Sequence, residues 1–336
     1  MKKFLLLFFV FSVCLSLNAQ TQIAPISLSV KELSLTKWDP QEGIIYKQVP
    51  GANLGATSFE VMNSNQIAFL CNSTSEIVVI DKASGKAIKK FNVSFAPRDF
   101  SYSNGFFFVL TENQVIKYDI AGNEINRFPI PNGYDGVERL TRFNNATYLL
   151  LPSGNTLMIE SDGHSIVSDE KEGWITGSGN FVTTRITGYN SYSIKVTTDD
   201  HKSYEKVFTT DVKVAGVFVI GSTNSRVVLD VQTFISENPI SVERMIVDID
   251  LNNYGLGSIV AQTKVPDCYY VLSNKDFSLM QDGTVYNMIT SPQGVFIFSL
   301  TDARMLLKTQ NIQGYPSSII DTKYHFNDNL MRMEEK

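Results

Sequence analysis

The chain repeats one pattern of short apolar segments and turns at intervals of about forty residues. Each copy has an apolar triplet, then an apolar segment that ends in an acidic residue, then a turn with a glycine. The clearest copies are Thr57–Phe91, Arg98–Phe128 and Glu138–Val167. A period of this size, filled with short strands, indicates stacked units that bury their apolar faces against one another. The blades of a β-propeller match it best.

Each copy divides into four short segments separated by turns, as four antiparallel strands would. In the second copy, small and polar residues at 103–105 and 121–123 separate the segments. Such clusters of Gly, Asn and Ser favour tight turns between neighbouring strands. The strands predicted for this copy are Asp99–Tyr102, Phe106–Leu110, Gln114–Asp119 and Glu124–Phe128.

The middle strands of the units are apolar at nearly every position. The runs that show this are Phe106–Leu110, Tyr148–Leu151, Val217–Ile220 and Val295–Phe298. An antiparallel sheet with one face in water would alternate apolar and polar residues. A blade pressed between two other blades buries both faces, so these runs favour a propeller over an open sheet.

Beyond residue 170 the repeat is looser, and three further units are predicted. They cover Trp174–Thr210, Val212–Val265 with an insertion around Phe234–Ile240, and Tyr269–Gln310 with a last strand at Met305–Thr309. Two more strands are predicted at Ile26–Leu33 and Ile44–Gln48. One of them is expected to pair with the last blade and close the ring, which removes exposed sheet edges. The alternative is a seventh blade, and we favour an all-β propeller of six blades.

The N-terminus has the pattern of a signal peptide over Met1–Ala19. Two lysines precede a mostly apolar run, Phe4–Leu17, which is too short for a membrane span of about twenty residues. A lipoprotein is the alternative because of Cys14, but Val13 stands where a lipid-attachment signal would have a small residue. We expect an exported protein that is periplasmic, outer-membrane-associated or extracellular. A single propeller domain is expected over 20–330, with a polar tail over 331–336.

The charge pattern gives no sign of a nucleic-acid partner. The formal net charge is −5, and residues of both signs are scattered along the chain without a long block of either. Proteins that bind nucleic acid or acidic membranes usually present a concentrated basic surface. No membrane span and no cofactor are predicted, and the expected partner is a protein, a peptide or a glycan of unknown identity.

Loops that enter the inner strands are expected to line one mouth of the channel. The binding candidates in these loops are Arg98, Asp99, Tyr134, Asp135 and Trp174. A cation, carboxylates and aromatic rings on one face could hold a sugar or a peptide by hydrogen bonding and stacking. The alternative is ordinary loop polarity, with the aromatic rings filling gaps between blades.

Two cysteines follow the predicted signal peptide, Cys71 and Cys268. In a six-bladed ring they would lie in neighbouring units and near the same face. An exported location permits a disulfide between them, and two buried thiols are the alternative. The three histidines are far apart in sequence and none has a second ligand at metal-binding spacing. Catalysis by histidine is therefore not supported.

The chain resembles bacterial exported propellers with NHL-type or YVTN-type repeats. The residues that carry the resemblance are the segments at 79–85 and 117–122, each with an acidic residue and a glycine. The junction after Ala19 and the two N-terminal lysines are similar to those of exported proteins of the Bacteroidetes group. Repeats of this kind specify architecture and not activity.

Two hypotheses for the function are therefore considered. The first is a non-enzymatic binding or scaffold protein of the cell envelope or the medium, so an enzyme is the less favoured class. The alternative is a metal-dependent hydrolase or lyase of the sugar-lactonase type, which would hold a divalent cation in the channel. The carboxylates that correspond to this alternative are Glu60, Asp99 and Glu138.

Overall fold

A computed structural model describes most of the chain between residue 26 and residue 302. The described residues are 26–137, 139–198, 200–252, 255–265, 270–302, 324–327 and 332–335. They form strands and turns, and no helix occurs among them. The predicted signal peptide at Met1–Ala19 lies outside the described residues.

The first described strands are a long one and a small hairpin. They are β1 (Ile26–Lys37), β2 (Lys47–Val49) and β3 (Ala52–Leu54). The hairpin of β2 and β3 forms a two-stranded sheet of its own. The strand predicted over Ile44–Gln48 is thus only partly realised, and it does not belong to a blade.

Six antiparallel blades follow, and in each the first strand of the unit lies nearest the channel. Blade 1 contains β4 (Ala56–Val61), β5 (Gln66–Cys71), β6 (Glu76–Asp81) and β7 (Ala87–Asn92). Blade 2 contains β8 (Asp99–Ser103), β9 (Phe106–Leu110), β10 (Gln114–Asp119) and β11 (Glu124–Pro129). Blade 3 contains β12 (Arg139–Phe143), β13 (Ala146–Leu150), β14 (Thr156–Ser161) and β15 (His164–Lys171).

The other three blades are built in the same way. Blade 4 contains β16 (Trp174–Ile175), β17 (Phe181–Gly188), β18 (Ser191–Thr197) and β19 (Ser203–Thr209). Blade 5 contains β20 (Val214–Thr223), β21 (Arg226–Glu237), β22 (Ile240–Asn252) and β23 (Gly255–Val265). Blade 6 contains β24 (Phe277–Leu279), β25 (Val285–Ser291), β26 (Gly294–Asp302) and, in the outer position, β1. Two short strands, β27 (Tyr324–Asn327) and β28 (Arg332–Glu335), pair with each other near the C-terminus.

The strand at the N-terminus closes the ring. β1 pairs antiparallel with β26, from Leu28 opposite Asp302 to Lys37 opposite Gly294. Its first residues also pair in parallel with β23 of blade 5. The predicted closure is confirmed, and with it the count of six blades rather than seven. The strand predicted over Met305–Thr309, as the last strand of this blade, lies outside the described residues. In the structure, β1 occupies the outer position beside β26.

The middle strands are buried on both faces, as their apolar runs predict. The run Val217–Ile220 is an exception, because it lies in the inner strand β20 and Phe218 is 50% exposed. In β5, Ala68 and Leu70 pack with Phe107 and Val109 of blade 2. The alternate residues of the same strand, which include Phe69, face the opposite way and pack with residues of blade 6. Burying a large apolar side chain contributes about 1.5–3 kcal/mol, so each blade is stabilised from both sides. The outer strand β11 has a neighbouring strand on one side only, and five of its six residues are exposed.

Blade 5 departs from the sequence-based expectation. The segment around Phe234–Ile240 was expected to be an insertion, but it continues the hairpin of β21 and β22, with Glu237 paired to Ile240. The extra residues thus lie in a hairpin that extends beyond the strand beside it, since β20 pairs with β21 only as far as Thr233.

Candidate functional site

A cavity of about 800 Å³ lies in the channel between the blades. All six blades contribute to its lining, mostly with the inner strands and the turns that follow them. Its volume is in the range of pockets that take small ligands. Among the described residues of this lining, neither histidine nor cysteine occurs.

Lys275 crosses from blade 6 to blades 1 and 2 inside this channel. Its Nζ donates hydrogen bonds to Glu60 Oε1 at 2.9 Å and to the carbonyl oxygen of Phe100 at 2.6 Å. The same Nζ lies 3.4 Å from Asp99 Oδ1. Burial by itself would lower the pKa of the Lys275 ammonium, but Asp99 and Glu60 act in the opposite direction and raise it. The lysine is therefore charged, and its single positive charge offsets part of the negative charge of Glu60 and Asp99.

The backbone fixes the position of this lysine. The amide nitrogen of Asn274 donates to the carbonyl oxygen of Thr57 at 2.7 Å, and Lys275 forms a parallel bridge with Ser58. Asp99 is fully buried, and its Oδ2 accepts a hydrogen bond from the amide of Leu140 in blade 3 at 3.0 Å. The charged group thus links four of the blades.

The carboxylates proposed for a metal ion do not form a metal site in the described part of the chain. Glu60 and Asp99 do approach one another in the channel, but the ammonium of Lys275 lies between them. Glu138 lies outside the described residues. Within the described ranges, no group of three or more His, Cys, Asp or Glu side chains could hold a metal ion. A divalent cation needs several oxygen ligands, and the two available ones already bind a lysine.

Two arginines of the lining are also paired with acids. Arg142 binds Glu160 and Thr147, and its guanidinium lies over the ring of Phe108 at 3.8 Å from the centroid. Arg226 Nη1 donates to Asp248 Oδ2 at 2.8 Å. The positive charges of both residues are therefore neutralised locally.

Arg139, at the start of β12, is different. Its guanidinium makes no hydrogen bond or ion pair with any side chain that the structure describes, and its Nε is buried without a partner. Its contact is with the ring of Trp174, whose centroid lies 5.9 Å from the guanidinium carbon. Both residues line the cavity. Because an arginine offers five N–H donors, this side chain has most of its binding capacity unused.

Hydroxyl groups from blades 4 and 5 form a second polar wall. Ser178 and Ser222 are hydrogen-bonded to each other, and Thr176 contacts both. Asn180 Nδ2 lies 3.5 Å from Ser222 Oγ. A hydroxyl both donates and accepts hydrogen bonds, so this wall can bind hydroxyl or carbonyl groups of a ligand.

The binding candidates from the sequence are not brought together. Trp174 lines the cavity, and Asp99 is buried behind Lys275. Arg98 Nη1 donates to the carbonyl oxygen of Val137 at 3.0 Å, outside the cavity lining. The Tyr134 hydroxyl lies 3.3 Å from Glu170 Oε2, and Asp135 is exposed. A common binding role of these five residues stays a prediction.

Several cavity residues were missed by sequence reasoning. They are Arg139, Arg142, Ser222, Arg226 and Lys275. The available signal was a charged residue within or beside an inner strand, such as the two arginines three positions apart in β12. An inner strand faces the channel, and a polar residue there is a better candidate than one in a loop.

Cys71 is buried between blades 1 and 6, next to Met288 and Ile297. The disulfide prediction requires that the first and sixth units be neighbours, and blades 1 and 6 are neighbours in the structure. Cys268 lies outside the described residues, so the pairing of Cys71 with Cys268 stays a prediction.

The fold is similar to those of solved propellers at low sequence identity. The WD40 domain of Neurospora crassa Pan2 is 9% identical, with 82% of this chain and 97% of that chain covered and a TM-score of 0.50. Hydrazine synthase of Kuenenia stuttgartiensis is 12% identical, with 73% of this chain and 76% of that chain covered and a TM-score of 0.50. A streptogramin B lyase is 14% identical, with coverages of 81% and 97% and a TM-score of 0.42.

These likenesses concern the fold alone. No family model matches the sequence, and no curated protein matches it. In the part of the chain that the structure describes, no helix has the length and apolar character needed to cross a membrane.

Proposed function

We propose that the protein is a non-catalytic binding propeller that works outside the cytoplasm and holds a small ligand in its channel cavity. One observation carries the proposal: a cavity of about 800 Å³ in the centre of the ring receives polar side chains from inner strands of several blades. A rigid ring presents such groups in fixed positions, which lowers the entropic cost of binding.

The charges in the cavity support binding rather than catalysis. Lys275, Arg142 and Arg226 are all held by carboxylates. General acid–base catalysis requires a group that can exchange a proton near neutral pH. The sugar-lactonase alternative is less favoured, because the ammonium of Lys275 occupies the space between Glu60 and Asp99.

A thermal-shift screen tests the site. The wild-type protein is screened against sugars, sugar acids, amino acids and short peptides, and compounds that raise the melting temperature are titrated by calorimetry. Thr141→Trp places a large ring in the cavity lining and should abolish binding of these compounds. Thr209→Trp, on the exposed outer strand β19, is the matched control and should leave binding unchanged.

Two results would overturn the proposal. One is a screen in which no compound binds, or in which every compound that binds the wild type binds Thr141→Trp equally well. The other is chemical conversion of a bound compound, which mass spectrometry of the recovered ligand would detect. A variant of Ser278→Trp, which fills the cavity from blade 6, repeats the test if Thr141→Trp does not fold.

The location outside the cytoplasm is tested separately. The pattern over Met1–Ala19 supports export, and cleavage after Ala19 would leave β1 intact because that strand begins at Ile26. When the full chain is expressed in a bacterial host, mass spectrometry of the purified protein should find Gln20 as the first residue. Recovery of the uncleaved chain in the cytoplasm would contradict export.

A further inference from the structure

We propose that the channel cavity binds a small carboxylate that also carries hydroxyl groups, as sugar acids do, with its carboxylate on Arg139. This inference rests on the proposed function and names the chemical class of its ligand. The cavity has four cationic side chains in its lining, Arg139, Arg142, Arg226 and Lys275. These four side chains differ in their partners within the protein, and this difference indicates which of them binds the carboxylate of the ligand.

Three of the four cations are already bound to acids of the protein. Lys275 is held by Glu60 at 2.9 Å, and Arg226 by Asp248 at 2.8 Å. Arg142 is held by Glu160, whose side chain is 3% exposed. A ligand anion at any of these positions would have to compete with a carboxylate that the fold places there.

Arg139 has no such competitor among the described residues. It interacts electrostatically with Asp276, but Asp276 Oδ2 is bound at 2.6 Å by Arg244 Nη1. A guanidinium forms paired N–H···O bonds with a carboxylate, and these charge-assisted bonds are stronger than neutral ones. A ligand carboxylate would therefore satisfy donors that the protein leaves unused.

The neighbours of Arg139 indicate the rest of the ligand. The ring of Trp174 lies beside the guanidinium and lines the cavity, so it can cover an apolar face of the ligand. The hydroxyls of Thr176, Ser178 and Ser222 stand on the wall that follows Trp174 around the ring. Hydroxyl groups of a sugar acid can exchange hydrogen bonds with such a wall, whereas an aliphatic chain cannot.

The same reasoning distinguishes a carboxylate from a phosphate. A phosphate dianion carries more charge than one guanidinium neutralises. The cations that could assist Arg139 are engaged by Glu60, Glu160 and Asp248. A carboxylate needs one paired contact, and the single positive charge of Arg139 matches its single negative charge.

Calorimetric titration of the full-length mature protein tests the inference. The probes are D-glucuronate, D-glucose as the uncharged analogue, and inorganic phosphate. Wild-type protein should bind glucuronate about tenfold to a hundredfold more tightly than glucose, as charge-assisted hydrogen bonds predict. Phosphate should neither bind measurably nor displace glucuronate.

Variants of the arginine locate the binding. Arg139→Gln should weaken glucuronate binding by about tenfold or more and leave glucose binding unchanged. Arg139→Lys keeps the charge without the paired donors and should give an intermediate affinity. Arg185→Gln, at an exposed position of β17, is the control and should behave as the wild type. If Arg139→Gln does not fold, Arg139→Lys still measures how much the paired N–H donors of the guanidinium contribute to glucuronate binding.

The failures of the two proposals can be told apart. Equal binding of glucose and glucuronate, binding of phosphate alone, or no binding of glucuronate would each overturn the carboxylate assignment. So would an Arg139→Gln variant that binds glucuronate as tightly as the wild type. The proposed function fails separately, when no compound of the wider screen binds in a way that Thr141→Trp abolishes.

Discussion

Lys275 Nζ lies 2.9 Å from Glu60 Oε1, and this contact joins the sixth blade to the first. The side chain of Lys275 is 9% exposed, so the pair is mostly shielded from water. A buried ion pair contributes little net stability compared with apolar residues, but removal of one partner leaves an uncompensated charge. The structure therefore makes the ring sensitive to this lysine.

We predict that Lys275→Met lowers the free energy of unfolding by about 3–5 kcal/mol. The variant leaves Glu60 and the buried Asp99 without their cation. Urea denaturation of the two proteins measures the difference. Lys264→Met is the control, because Lys264 pairs with Glu243 at a position where its side chain is 70% exposed, and exposed pairs contribute little. Equal midpoints for Lys275→Met and the wild type would contradict the role of the pair.

Divalent metals should not stabilise the wild-type protein. Lys275 supplies the positive charge between Glu60 and Asp99, so a metal ion would have to displace an ammonium that the backbone holds in place. We expect the same melting temperature in calcium, in magnesium and in a chelator. A stoichiometric metal in the purified protein, together with a melting temperature that falls on chelation, would instead support the metal-dependent alternative.

Much of the fold follows from local pattern. The predicted strands of blade 2 agree with β8 to β11 to within one residue at each end. Turn residues set these ends, and burial on both faces makes the middle strands apolar throughout. Closure by an N-terminal strand was predicted because an unpaired sheet edge is unfavourable, and β1 fulfils this role.

The site was much less predictable. Lys275 reaches Glu60 and Asp99, which lie more than 170 residues earlier in the chain. No local sequence pattern indicates which residues of different inner strands contact one another across the channel. That Arg139 lacks an acidic partner among the described residues is also visible only in the assembled ring. The other three cations, Arg142, Arg226 and Lys275, are paired with carboxylates of other strands. Among the proposed ligand-binding residues, which sequence reasoning placed in loops, only Trp174 lines the cavity; Glu60, proposed for the metal alternative, lines it as well.

The stability of blade 2 should depend on pH through Asp119. Its Oδ2 accepts a hydrogen bond from the side chain of Asn123 at 2.9 Å, and its Oδ1 accepts one from the backbone of Asn123 at 2.8 Å. These bonds favour the ionised form and lower the pKa of Asp119 below its ordinary value of 3.8. Its stabilising contribution is therefore fully present above pH 3.8 and is lost as the pH falls through the lower pKa of the folded state.

Asp119→Asn tests this dependence, because an amide cannot ionise. The wild type should be the more stable protein near neutral pH, and its advantage should shrink as the pH is lowered below 3.8. Thermal melts across this range measure the difference. Asp135→Asn is the control, since Asp135 is exposed and accepts no hydrogen bond from a described residue. An advantage that stays constant down to the lowest pH would contradict the assignment.

Closure of the ring should depend on the glycine at the turn before β7. Gly85 has a φ of +67°, and a Cβ at this position would lie 2.0 Å from the carbonyl oxygen of Leu35 in the closing strand β1. Gly105 is a matched control: its φ is +82°, and nothing lies within 4 Å of its Cβ position. Both substitutions by alanine strain the backbone, at a cost of about 1–2 kcal/mol.

Gly85→Ala should therefore destabilise the protein more than Gly105→Ala, by the further 1–3 kcal/mol or so that overpacking costs. It should also weaken the protection of β1 amides in hydrogen exchange, because the backbone of Leu35 must move to admit the methyl group. Gly105→Ala should leave that protection unchanged, since its turn lies in blade 2 and its added methyl group would meet no atom within 4 Å. If the two variants unfold at the same denaturant concentration and protect β1 equally, the close approach of this turn to the closing strand does not contribute to stability.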